Sequence, residues 1–135
     1  MDENEILARF GLVPRTEDLP EIRALVQSLT ADEDRDDNEP LKTLCVLLFS
    51  AAEPSDSLLI FKAKESSFDA ACYIDIQLVC GAGIDRTKAF LLNSREPEAR
   101  KLLAYLESCI SAGDFGDFTP ADYLESYRRY YGLSP

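Results

Sequence analysis

Five polar side chains in the middle of the chain, Lys62, Lys64, Asp69, Asp75 and Gln77, are the ones whose types and spacing could do chemistry. Asp75 is the pivotal one, because it lies inside "FDAACYIDIQLVCGAG", residues 68 to 83, the least polar stretch of the chain. Read with period two, Cys72, Ile74, Ile76, Leu78 and Cys80 share one face and Asp75 goes to solvent with Tyr73 and Gln77; read with period 3.6, Asp75 falls among Phe68, Ala71, Leu78 and Val79. On the helical reading its carboxylate must be paired, hydrogen-bonded or protonated, since burying it alone costs several kcal/mol. The nearest cations in sequence are Lys62 and Lys64, on a preceding helix that would pack antiparallel, and Asp69 and Gln77 add polar groups to the same element. Paired structurally, these residues brace the fold; left accessible, they edge a polar pocket that could hold a small ligand or run acid–base chemistry between Asp75 and a lysine.

The remaining residue types exclude much else. There is no histidine, which removes Ser-His-Asp and Cys-His catalysis, imidazole-ligated metals and imidazole pH switching. The glycine-rich phosphate loops are absent, and no cofactor is expected. The run "DEDRDDNEP" starts like a calcium loop at Asp32, Asp34 and Asp36, but the glycine position holds Asp37 and the terminal carboxylate position holds Thr43. In "GAG", Gly81 to Gly83, an anion site would be opposed by Asp85 at the expected N-cap, so helix termination is the better reading. Cys45, Cys72, Cys80 and Cys109 lie in apolar segments without C-x-x-C spacing, the pattern of reduced core thiols. The residue types therefore lean away from an enzyme.

Behind these residues the grammar is mostly helical. "EPEARKLLAYLESCISAG" sets Ala99, Leu102, Leu103, Leu106, Cys109 and Ile110 on one face between Pro97 and Gly113. "TPADYLESYRRYYG" repeats the pattern with Thr119 as N-cap, Pro120 at N1, Asp122 at N3 and Gly132 after the end. It carries Tyr123, Tyr127, Tyr130 and Tyr131 beside Arg128 and Arg129, a cluster that suits packing on the preceding hairpin better than base stacking. Ile6, Leu7 and Phe10 before Gly11, and Ile22, Leu25, Val26 and Leu29 after Pro20, mark two earlier helices. "LKTLCVLLFSAA" as a helix would be buried nearly all round. Ser66 and Asp69 resemble a capping box opening a helix that runs to about Cys80.

The small-residue clusters "SAA", "GAG" and "SAG" centre on Ala51, Ala82 and Ala112, 31 and 30 residues apart, the rhythm of helical hairpins. We therefore expect one all-α domain over residues 1–135, stacked helical hairpins in a short HEAT-like or ankyrin-like array of about seven to eight helices, with an exposed, disordered acidic linker at about 31–40. The alternative is an α+β domain with a small antiparallel sheet from residues 41–92, in which "SLLIFKAK" and "CYIDIQLVC" are strands.

Charge bears most directly on function. Residues 1–40 carry 12 acids against 4 bases, and residues 41–135 carry 13 against 10. Such a field repels nucleic-acid backbones and favours a basic partner. Neither a secretory h-region after Met1 to Glu5 nor an apolar run long enough to span a membrane is present, so a cytoplasmic location and no membrane partner are expected. The sequence thus points to a small acidic protein-interaction module, for example an inhibitor or immunity-type protein masking a basic protein. A small-ligand sensor or enzyme built on the pocket around Asp75 is the alternative.

Overall fold

The chain is described here by a computed structural model over residues 1–134. The described residues form eight α-helices and two short 3-10 segments, with no strand among them: α1 (Glu3–Phe10), α2 (Leu19–Ala31), α3 (Glu39–Ala51), α4 (Asp56–Lys64), α5 (Phe68–Tyr73), α6 (Ile84–Asn93), α7 (Pro97–Ser111) and α8 (Pro120–Tyr130). The 3-10 segments are Thr16–Asp18 and Ile76–Cys80. The all-α expectation holds, and the antiparallel sheet across 41–92 does not form. No helix among the described residues is long and apolar enough to cross a membrane.

Helix α3 is the axis. It buries Leu41 and every residue from Thr43 to Phe49, as expected from an apolar pattern without a polar face, and it is touched by α1, α2, α4, α5, the Ile76–Cys80 segment and α8. Each large apolar side chain so enclosed contributes about 1.5–3 kcal/mol. One continuous hydrophobic core runs from Ile6 on α1 to Tyr127 on α8. Helices α6 and α7 pack together as a hairpin, with Ala99, Leu102, Leu106 and Cys109 buried on the predicted face of α7. Between α2 and α4, Arg23 holds the buried carboxylate of Asp56 in a fork, with Nε–Oδ1 2.8 Å and a guanidinium NH2 to Oδ2 at 3.1 Å.

The helix ends follow local chemistry. Asp2 and Glu5 close a capping box on α1, and the Thr119 hydroxyl accepts the Asp122 N–H at the start of α8. Helix α7 ends in a Schellman motif, Gly113 N–H to the Ile110 carbonyl and Asp114 N–H to the Cys109 carbonyl, with Gly113 at φ 88°.

Three local expectations are corrected. The single helix from residue 67 to 80 breaks after Tyr73: Ile74 and Asp75 are extended, at φ −96°, ψ 109° and φ −69°, ψ 142°, and the chain resumes as the 3-10 segment. The cap of α5 is Ser67, whose hydroxyl accepts the Ala70 N–H, rather than Ser66. The N-cap of α6 is Gly83, placing Asp85 inside the first turn. The cysteine reading also needs amendment: all four thiols are free and Cys45, Cys80 and Cys109 are buried, but Cys72 is exposed.

Candidate functional site

The break after α5 organises the polar centre of the molecule. Interrupting a helix leaves carbonyls without N–H partners, and Lys64, in the last turn of α4, meets them: its Nζ donates to the Ala71 and Ile74 carbonyls, both at 2.5 Å. Lys64 is only 8% exposed. Burial lowers its pKa, opposed by the negative charge of Asp75. Lys64 is therefore a plug for the break, bonded to backbone rather than to a carboxylate.

Asp75 finds its partners elsewhere. Its Oδ2 accepts the hydroxyls of Tyr123 at 2.6 Å and Tyr127 at 2.8 Å, both from α8, about fifty residues away in sequence. Burial raises the pKa of each phenol, and the Asp75 charge raises it further, so both stay neutral donors at physiological pH. The Asp75 carboxylate is half-buried, and it is satisfied by a pair of tyrosines, not by Lys62 or Lys64. Lys62 is exposed and lines clefts with Leu59 on the other side of α4. Asp69 is exposed in the first turn of α5. Gln77 donates to the Asp114 carbonyl at 2.7 Å, tying the 3-10 segment to the loop after α7. Of the five predicted residues, Lys64 and Asp75 converge on the break, while Lys62, Asp69 and Gln77 do not join them.

Tyr127, held by Asp75, forms one wall of a second constellation. Lys42, on the first turns of α3, places its ammonium 4.4 Å from the Tyr130 ring centroid, 5.5 Å from that of Tyr127 and 5.6 Å from that of Tyr73. Tyr127 and Tyr130 stand nearly perpendicular, at 75° with centroids 5.9 Å apart. Each ring is fixed through its hydroxyl, Tyr127 on Asp75 Oδ2 and Tyr130 on Glu39 Oε1 at 3.0 Å. Just past the end of α8, Tyr131 shares a 2.8 Å hydrogen bond with the buried Thr43. The α8 tyrosines thus pack on α3, not on the preceding hairpin.

A third feature borders the cage. The segment between α2 and α3 is not a disordered linker: its one base, Arg35, turns inward. The guanidinium donates to the Leu29 carbonyl at 2.9 Å, to Asn38 Oδ1 at 2.7 Å and to the Ser66 hydroxyl at 2.5 Å, the last joining the loop to the start of α5. Asp32 and Asp37 accept the N–H groups of Asp34 and Glu39. With Arg35 so occupied, Asp32, Glu33, Asp34, Asp36 and Asp37 all remain exposed. Helix α5 alongside presents Phe68, 84% exposed, and Tyr73, 43% exposed.

Sequence reasoning missed Lys42, Tyr73 and Arg35. The available signal was isolation: Lys42 is the only charge between Leu41 and Ala52, and Arg35 is the only base in "DEDRDDNEP". No protein-family model, curated protein or solved structure matches this chain.

Proposed function

We infer that this protein is an acidic interaction module whose docking face is the Arg35-anchored loop together with the exposed end of α5, and whose partner is a basic protein surface. The observation that carries this reading is the inward turn of Arg35, which commits the loop's only positive charge to internal hydrogen bonds while fixing the backbone that bears five exposed carboxylates. A fixed array of like charges is costly to fold and gains its compensation on meeting cations; complementary charge also steers encounter. Phe68 beside it supplies the apolar contact from which charge arrays alone are deficient. An inhibitor or immunity-type protein that masks a basic enzyme is one form such a module takes. The small-ligand reading of Asp75 is less well supported, because its Oδ2 is already committed to two tyrosine hydroxyls.

The test is titration with a defined basic probe, an amphipathic lysine- and leucine-containing peptide, at low and physiological salt. Glu33→Gln/Asp34→Asn/Asp36→Asn removes three charges without touching the carboxylates that cap the loop. The expected result is saturable binding that weakens steeply with salt, drops at least tenfold in the triple variant, and drops again with Phe68→Ala. Equal affinity of the triple variant and the parent would refute the reading.

A further inference from the structure

We propose that Tyr73, Tyr127 and Tyr130 form an aromatic cage for a quaternary or methylated ammonium group, and that Lys42 occupies this cage as an internal, displaceable stand-in for that ligand. The inference goes beyond the docking of a basic surface and does not depend on it, since the cage lies on α3, α5 and α8 and uses none of the loop carboxylates.

Three observations lead to it. First, the ammonium of Lys42, on α3, faces three aromatic rings from two other helices, Tyr73 of α5 and Tyr127 and Tyr130 of α8, within 4.4 to 5.6 Å, inside the range in which a ring quadrupole attracts a cation. Three rings converging on one cation is the arrangement that recognises choline-like and methyl-lysine groups. Second, the rings are built to hold position without Lys42. Tyr127 is anchored by Asp75 and Tyr130 by Glu39, each carboxylate accepting the phenol hydroxyl, and the negative charge at these ring edges favours a cation nearby. Third, Lys42 has somewhere to go. Glu39 lies three residues earlier on the same helix, the spacing at which opposite charges meet on a helix surface. Opening of the cage therefore exchanges one favourable position of Lys42 for another.

The same geometry selects the ligand class. A primary ammonium is compact and strongly hydrated, so a free lysine gains little over the tethered Lys42 already present. An alkylated ammonium has a lower hydration cost and a larger apolar surface to lay on the rings, which allows it to compete. Tyr130 and Tyr73 are 57% and 43% exposed, so the cage has an open side. Occupancy by Lys42 lowers the apparent affinity in proportion to the fraction of time the cage is closed; removing Lys42 reveals the intrinsic affinity.

Binding of tetramethylammonium is measured by shifts of the tyrosine ring NMR signals in the parent, Lys42→Ala, Lys42→Gln and Lys42→Ala/Tyr130→Ala proteins, with tert-butanol as an uncharged counterpart of similar shape. Far-UV circular dichroism verifies that each variant is folded, and Lys42→Gln serves if the alanine variant is not. The expected result is saturable binding that tightens roughly five- to thirtyfold when Lys42 is removed, is lost with Tyr130→Ala, and is not matched by tert-butanol. A trimethyl-lysine peptide then distinguishes the source: tighter binding than tetramethylammonium assigns the cage to a modified protein tail, and equal binding assigns it to a free small amine. The proposal is overturned if folded Lys42 variants show no saturable binding, if the uncharged compound binds equally, or if Tyr130→Ala leaves binding unchanged.

Discussion

At the scale of single residues, Asp75 shows how a half-buried charge is resolved by partners that sequence proximity does not reveal. Two tyrosine hydroxyls converge on one carboxylate oxygen, and hydrogen bonds to a charged acceptor contribute a net of about 1.5–3 kcal/mol each. Asp75→Ala strands both donors in a half-buried site, and a loss of about 2–4 kcal/mol in unfolding free energy is expected from chemical denaturation. Asp75→Asn keeps a carbonyl oxygen that accepts both hydroxyls and should recover more than half of that loss. If the two variants are equally destabilised, the charge rather than the hydrogen bonding is what the site needs. The sequence identified Asp75 as a residue needing a partner, because an acid at the centre of a sixteen-residue apolar stretch is conspicuous by type. It did not identify the partner, because apolar periodicity describes which face a side chain occupies and carries no information about which helix, fifty residues on, crosses that face.

At the scale of elements, the helices with strong terminal chemistry were legible and the interrupted one was not. Pro97 and Gly113 bracket α7, and Thr119 and Gly132 bracket α8, because proline and glycine act through their own backbone whatever surrounds them. The break after Tyr73 has no such marker. It is made possible by Lys64, which bonds the freed carbonyls of Ala71 and Ile74, a tertiary contact that overrides the helical preference of the segment. The "GAG" cluster was legible as a boundary, but the reason for its first glycine was not. A β-carbon on Gly81 would lie 2.4 Å from the Phe49 carbonyl oxygen, so the turn after the 3-10 segment presses directly on the α3 backbone. Gly81→Ala is therefore expected to cost about 1–3 kcal/mol by forcing the two backbones apart, read as a lower denaturant midpoint. A midpoint within error of the parent would mean that the α3 contact yields freely and does not set the position of the turn.

At the scale of the whole molecule, the core fixes how the protein responds to alkali. Burial pushes the Cys45 and Cys80 thiols up to about 12 from an ordinary value near 9, and burial also raises Tyr123, Tyr127 and Tyr131. In the unfolded chain these groups release their protons near 9 and 10, while the folded chain retains them, so above those values the native state binds more protons and stability falls as pH rises. Below about pH 8 both states are protonated at these positions and their contribution is fully present. Lys64 acts in the opposite sense, because burial lowers its pKa and the unfolded chain keeps that proton longer, but it is one group against five. A net charge of −11 at pH 7 adds self-repulsion that also grows with pH, and salt separates the two causes, since added ions screen surface repulsion while leaving the cost of ionising a buried thiol or phenol in place. The denaturant midpoint should therefore stay level from pH 7 to about 8.5, then fall steadily towards pH 11, with most of the fall persisting in high salt. Full recovery of the midpoint by salt at pH 10.5 would assign the alkaline loss to surface charge, and the buried thiols and tyrosines would then have no part in it.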